Sequence, residues 1–499
     1  MIDNKMENTR RCSIADMLDT LAVKNIVGAE PTGEVCGITA DSREVISGGM
    51  FVAVRGVAVD GHTFLDRAMD AGARVVVVEE LPVNLPDKVT AIVVPDSREA
   101  LGRLASRFYG DPSEELTLVG VTGTNGKTTI ATLLYNMARM LGLKAGLIST
   151  VALIIGDESV PSEHTTPDAV SLNATLRKMV DAGCTFAAME VSSHAADQHR
   201  IAGLNFAGGI FTNITRDHLD YHKTFDAYLK AKKSFFDGLS ADAFALTNAD
   251  DRNGMVILQN TPARKMSYSI RDLADYMVKV VEDRLDGMLL SFDGDEVEAM
   301  FVGRFNASNL AAVYGASLLL GFDRDVVLRN LSAMRPVAGR FQPFRSSNGI
   351  TAIVDYAHTP DALVNVLDTI CEVAPGGARV ITVTGAGGNR DHGKRPLMAA
   401  AAAERSDILI LTSDNPRNEE PLAIIGDMLA GLSAAQKEKT ECVVDRRAAI
   451  RKAVEMAAPG DVILIAGKGH ETEQIIGNTT HHFDDRQEVC EAFEDLIKD

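Results

Sequence analysis

Short apolar runs that stop abruptly in polar tips recur along the chain. The run over 116–121 breaks into small and polar residues around Gly123 and Gly126. Apolar positions then return at helical spacing as Ile130, Leu133, Leu134, Met137 and Leu141. That pattern predicts a strand, a tight glycine loop and a helix. Further runs over 185–191, 206–211 and 243–246 end in EVSSH (190–194), TNITRDHLD (212–220) and TNAD (247–250). Residues 277–281 and 288–292 read as a β excursion, and 306–320 as a helix. Past Arg335 and Pro336 the rhythm restarts. Runs over 350–354, 380–383, 408–411 and 462–465 discharge into DYAHTP (355–360), TGAGGNRD (384–391), TSDNPRNE (412–419) and AGKGHE (466–471). Before residue 113, runs over 51–54, 75–78 and 91–94 alternate with helical segments such as 98–109.

Strands alternating with helices predict an α/β fold. The 499 residues suggest about three domains. The predicted division is a small N-terminal α/β domain (1–112), a central P-loop parallel-sheet ATPase domain (113–336) and a C-terminal Rossmann-like domain (337–499). In open parallel sheets ligands gather beyond the carboxyl ends of the strands, so the polar tips are expected to surround the glycine loop. Two loops of the first segment, 39–43 and 55–62, carry side chains suited to a polar ligand, although each also reads as a plain turn.

Composition narrows the classes. With 46% hydrophobic and 24% charged residues the chain is globular. Fifty Lys and Arg against 69 Asp and Glu leave a net charge of −19, which argues against a general nucleic-acid binder. Six cysteines lie scattered without CxxC spacing, as free thiols in a reducing compartment do. The first thirty residues lack a continuous apolar block, and no stretch is long and apolar enough for a membrane span. A cytoplasmic location and a monomer are expected.

The glycine loop carries the strongest chemistry. Its backbone N–H groups and the following helix N-terminus favour a phosphate, Lys127 adds a point charge, and the Thr128 hydroxyl suits a magnesium ion. The usual pattern places a glycine at the position held here by Val121, with Gly120 and Gly123 on either side. Glu190 and His218, at neighbouring strand tips, are candidate magnesium ligands, the histidine an unusual one for a metal that prefers oxygen.

GTNGKTT (123–129), MEVSSH (189–194), NITRDHLDYH (213–222), DYAHTP (355–360) and GKGHE (467–471) stand in the order found in the Mur ligases. The chain resembles that family over all three domains. Mur ligases are the ATP-dependent amino-acid-adding enzymes of peptidoglycan synthesis. The motifs resemble most the branch that joins meso-diaminopimelate to UDP-N-acetylmuramoyl-L-alanyl-D-glutamate through an acyl phosphate. Such enzymes carry a shortened phosphate loop, which accounts for Val121.

The resemblance implies ATP and Mg2+ as cofactors, with ATP held by Gly123, Thr124, Asn125, Gly126, Lys127, Thr128 and Thr129. It adds Asn306, Asn309, Arg340 and Asp355 as ATP contacts. Ser42 and the turn Val57, Ala58 and Val59 would hold the uridine end of the substrate. HTTP (164–167, with Thr165 and Thr166) and Ser192, Gln198 and Arg200 would bind the muramoyl-dipeptide. Lys232 falls where the family has a carbamylated lysine, an anion that could ligate a second magnesium beside the one at Thr128, Glu190 and His218, although a lysine-rich helix alone reads as solvated charge. Diaminopimelate is assigned to Arg390, Asp414, Asn415, Pro416, Arg417, Gly467 and Glu471. An arginine fork facing the distal carboxylate favours diaminopimelate over lysine, which lacks that group. The rival readings are ligation of L-lysine, a P-loop nucleotide switch without ligation, and a folylpolyglutamate synthetase.

Overall fold

The computed structural model describes residues 10–56, 59–160 and 164–496. Three large sheets organise it, one in each successive part of the chain. The first has five strands in the spatial order Asn25–Gly28, Thr90–Val93, Val75–Val78, Met50–Val52 and Ile38–Thr39. Val75–Val78 is an unbroken apolar run because it is central and buried on both faces.

The second sheet has eleven strands. Its centre is Thr117–Thr122, flanked in parallel by Phe186–Glu190 and Gly208–Phe211. Glu190 is level with Val121, and Phe211 with Thr122, so the tips after all three strands open at one end. The chain leaves the central strand toward Ala145–Ile148 on one side and later fills the other, which makes this point a topological switch. The β excursion does not stand apart. Tyr276–Arg284 pairs with Arg264–Ser269, and Gly287–Phe292 and Asp295–Ala299 continue the same sheet as an antiparallel ribbon. The Arg304–Leu319 helix is buried almost all round, packed against the Lys127–Met140 helix and the Tyr276–Arg284 strand.

The third sheet runs Gln342–Arg345, Thr351–Asp355, Val462–Ala466, Val380–Thr384, Ile408–Leu411 and Thr440–Cys442. All but the first are parallel, and this places the four polar tips along one edge, as the sequence predicts.

Candidate active site

The Thr117–Thr122 strand ends in a loop that only glycine can make. Gly123 (φ 152°) and Gly126 (φ 88°) take positive φ, and a Cβ on Gly123 would lie 1.8 Å from Thr212 Oγ1. The loop is stitched to the neighbouring tip: Thr124 N donates to Asn213 O, Asn125 N to Asn213 Oδ1, and Thr212 Oγ1 to Asn125 O. Lys127 Nζ donates to Gly123 O (2.9 Å) and Thr124 O (2.8 Å). Burial pulls its pKa down, while Glu190 and Asp217 oppose the shift.

Lys232 is not a solvated charge. On the Phe225–Asp237 helix, Lys230 and Lys233 pair outward with Asp226 and Asp237, but Lys232 is 1% exposed. Its Nζ donates to Gly123 O at 2.7 Å and lies 4.6 Å from the centre of the Tyr228 ring. Burial, then the Lys127 charge, hold its pKa well below the ordinary lysine value.

Glu190 is buried and accepts from Thr150 N at 2.7 Å. His218 takes a left-handed backbone (φ 53°) that turns its ring into the cavity. Its side chain stays 45% exposed, yet the cavity walls, with Lys127, His194 and Lys232, bring its pKa down to about 4 against Asp217. The imidazole is neutral with a free lone pair at working pH. Asp217 is pushed up by burial, but His218, His358 and Lys127 bring it below the usual carboxylate range. Among the described residues no group of three or more His, Cys, Asp or Glu is set to hold a metal. A hydroxyl, a carboxylate and a neutral imidazole still fit magnesium, which takes few protein ligands and completes its shell with phosphate oxygens and water.

The third domain closes the site. Arg340 Nη2 donates to Thr128 Oγ1 at 3.1 Å, and its guanidinium stacks 4.4 Å from the Tyr356 ring. Arg340 Nε is buried without a partner, a donor suited to a phosphate oxygen. Asp355 holds this turn in place, accepting from Phe341 N and Ala357 N at 2.7 Å each; burial raises its pKa. Together these residues wall a cavity of about 640 Å³, which Thr129, Thr165, Ser192 and Asn309 also line. Asn306 does not reach it. It stands one layer back, donating to Val302 O and accepting from Asn309 Nδ2, so it orients Asn309. Thr166 is likewise engaged, donating to Glu190 O and accepting from Ser192 N.

A second cavity of about 270 Å³ lies between the first and second domains, lined by Ala40, Gly56, Arg98, Asp168, Gln198 and Arg200. Arg200 forks onto Gln198 Oε1 and Thr166 O. Ser42 is buried nearby in sequence, and Val59 is 55% exposed, while Val57 and Ala58 lie outside the described residues.

On the third sheet the predicted amino-acid residues do converge. Asn415 Nδ2 donates to Glu471 Oε2 (2.9 Å), Gly467 leaves room for Asp414 Oδ2, and Arg417 Nη1 donates to Gly388 O. Pro416 O packs against Gly388, and Gly387 lies between the Arg390 and Arg417 side chains. Sequence reasoning passed over Asp217 and Lys468, although both lie inside the quoted motifs. Lys468 is fully buried and donates to Asn415 Oδ1 and Glu471 Oε2. It also passed over Arg395, which no motif flagged.

Comparison with known proteins places the chain in a family. The Mur ligase middle domain matches residues 121–317, the Mur ligase glutamate ligase domain 339–469, and the catalytic domain of the Mur ligase family 34–109. A UDP-N-acetylmuramoyl-L-alanyl-D-glutamate--2,6-diaminopimelate ligase from Phocaeicola vulgatus is 58% identical, covering 95% of this chain and 98% of its own. A solved structure of a ligase of that name superposes with a TM-score of 0.70 at 33% identity, covering 97% of this chain and 99% of its own. MurF from Thermotoga maritima in complex with ADP shares the fold at 20% identity, with a TM-score of 0.60 over 92% of this chain and 97% of its own. Family models over most of the chain and a relative 58% identical across it show that the chain belongs to the Mur ligase family.

Proposed function

We propose that the protein joins meso-2,6-diaminopimelate to the D-glutamate of UDP-N-acetylmuramoyl-L-alanyl-D-glutamate, using ATP, in peptidoglycan synthesis. The observation that carries this reading is the Arg340–Thr128 bond, which brings the phosphate loop and the 355–359 strand tip of the third sheet over one cavity. Relatives bearing the corresponding name match nearly end to end. All the assigned residues come from one chain, and no described helix is long and apolar enough to cross a membrane. We place the enzyme in the cytoplasm as a monomer.

The D-glutamate carboxylate attacks the γ-phosphorus, the bond to the ADP oxygen breaks, and an acyl phosphate forms. Such transfer is largely positioning and charge neutralisation. Lys127 and Arg340 supply fixed cations, and Gly123 to Thr129 supply backbone donors. Thr128, Glu190, His218 and the carbamate form of Lys232 would hold magnesium, which would supply positive charge to offset the phosphate anions. Asn309, oriented by Asn306, meets the nucleoside. Ser42 and Val59 face the uridine end; Thr165, Ser192, Gln198 and Arg200 hold the muramoyl-dipeptide, with Thr166 fixing Ser192. Arg390 and Arg417 grip carboxylates of diaminopimelate, and Glu471 and Asn415 its distal head. The free amine attacks the acyl carbon, inorganic phosphate leaves, and the amine proton passes to solvent.

ADP formation measured with each substrate omitted in turn tests this. Ligation requires ATP, the UDP-linked dipeptide and diaminopimelate together. A nucleotide switch would hydrolyse ATP without the amino acid.

A further inference from the structure

Two loops carry the arginines that meet the amino acid: 385–390 with Arg390 and 412–419 with Arg417. Their tips are held in constrained backbone, with Asn389 at φ 54° and Arg417 at φ 52°. One side chain behind both loops ties them together. Arg395 opens the Lys394–Arg405 helix and is 1% exposed, an unusual place for a guanidinium without a carboxylate partner. Its Nη2 donates to Glu419 Oε1 at 2.9 Å and to Gly387 O at 3.3 Å, and its Nη1 donates to Asp427 Oδ2 at 2.9 Å. Glu419 Oε1 also accepts from Asn389 N, and Asn418 N donates to Asn389 Oδ1. Gly388 N donates to Asn415 O at 2.9 Å, and Arg417 Nη1 returns to Gly388 O. One carboxylate and one guanidinium thus hold each loop against the other, immediately behind Arg390 and Arg417.

We propose that Glu419 and Arg395 are positioning residues for amino-acid selection: they fix the separation of the Arg390 and Arg417 guanidinium groups and so match the site to a diamino dicarboxylate. The proposal rests on the function given above. Bidentate pairing is sensitive to placement, so loosening the clamp should cost recognition of the carboxylates before it costs catalysis. The acidic partners also neutralise Arg395, leaving Arg390 and Arg417 as the cations offered to the ligand. The Arg395 fork and the Asn389 N–H pull the Glu419 pKa down to about 2, so the clamp keeps its charge at every working pH.

Glu419→Gln keeps the shape of the side chain and removes its charge. Steady-state kinetics with each substrate varied in turn should show KM for diaminopimelate raised at least tenfold, with kcat and the KM values for ATP and the UDP-linked dipeptide within about twofold. The preference for diaminopimelate over L-lysine should fall by a similar factor. Asn389→Gly provides a second variant, since glycine suits the positive φ and the residue is exposed. It removes only the tie to Asn418, should raise the same KM about threefold, and decides the matter if the first variant is unstable. Equal changes in all three KM values, or a fall in kcat alone, would overturn the proposal. Absence of diaminopimelate-dependent turnover in the unmodified enzyme would instead remove the functional reading beneath it.

Discussion

Lys127 and Lys232 converge on one carbonyl: both side-chain nitrogens lie within hydrogen-bond distance of Gly123 O, at 2.9 and 2.7 Å. Two buried cations cannot share such a site cheaply, and burial together with the Lys127 charge holds the Lys232 pKa well below the ordinary lysine value. In its neutral form this nitrogen can attack carbon dioxide, losing a proton to form a carbamate anion. Enzyme labelled with 13C-bicarbonate should give a carbamate carbon resonance that Lys232→Ala abolishes, with activity reduced by at least about 10²-fold. A labelled signal unchanged in the variant would contradict the assignment. Below the unfolded lysine pKa the unfolded chain binds a proton here that the folded site resists, so the amine lowers stability at neutral pH and stops doing so only at alkaline pH. Without bicarbonate, Lys232→Met should therefore melt higher, by about 2–4 °C for each kcal/mol recovered in a domain of this size.

The turn that presents Arg340 to the phosphate loop is packed tightly at Gly339. Its φ is 66°, and a Cβ there would lie 2.1 Å from His470 N. Gly339→Ala should displace this turn from residues 469–470 and break the Arg340–Thr128 contact. We expect turnover to fall by about 10²–10³-fold, the effect of losing a donor to developing charge, with Arg340→Ala producing a similar loss. Small-angle scattering should show the unmodified enzyme contracting when ATP and the UDP-linked substrate are added, around joints near 111–114 and 335–339, and the Gly339→Ala variant failing to do so.

Arg417 is where amino-acid choice should be most exposed to substitution. Arg417→Lys keeps a charge and loses the planar fork. Selectivity for diaminopimelate over L-lysine, measured as a ratio of kcat/KM values, should fall by roughly 10²-fold, the scale of a lost charge-assisted pair. An unchanged ratio would place the distal carboxylate elsewhere.

Acid should destabilise the protein through two histidines. Burial and neighbouring cations lower His218 to about 4 and His470 to about 3. Each is neutral when folded and takes up a proton at about 6.5 when unfolded. Stability is thus full above pH 6.5 and declines as pH falls toward 4, where the unfolded chain binds more protons. Urea midpoints at pH 7, 5.5 and 4.5 should drop in that order, less steeply for His470→Gln. A flat series would show that these rings are not held neutral.

Much of this architecture was legible in the sequence because fully buried parallel strands are apolar from end to end. Val75–Val78 and Val462–Ala466 could not be mistaken, and their tips carried the chemistry. The strand Arg264–Ser269 was not legible: its RKMSYS sequence is polar because the strand is exposed at its first two residues and buried only at its last two. Lys232 could not be placed from its own surroundings, since three lysines share the helix and only tertiary packing buries one. Helical spacing puts Asn306 on the same face as Asn309 without saying which side chain lines the cavity, and it is Asn309 that does. Arg395 escaped notice for the opposite reason. Its partners Glu419 and Asp427 lie 24 and 32 residues away, and no spacing rule links them.

The most direct test of the account is inorganic phosphate release by the full-length enzyme supplied with ATP, magnesium and UDP-N-acetylmuramoyl-L-alanyl-D-glutamate, in the presence of a panel of amino acids. The account predicts release with meso-diaminopimelate, little with L-lysine, and a product heavier by one diaminopimelate residue. Phosphate release at the same rate without any amino acid, or a clear preference for L-lysine, would contradict it.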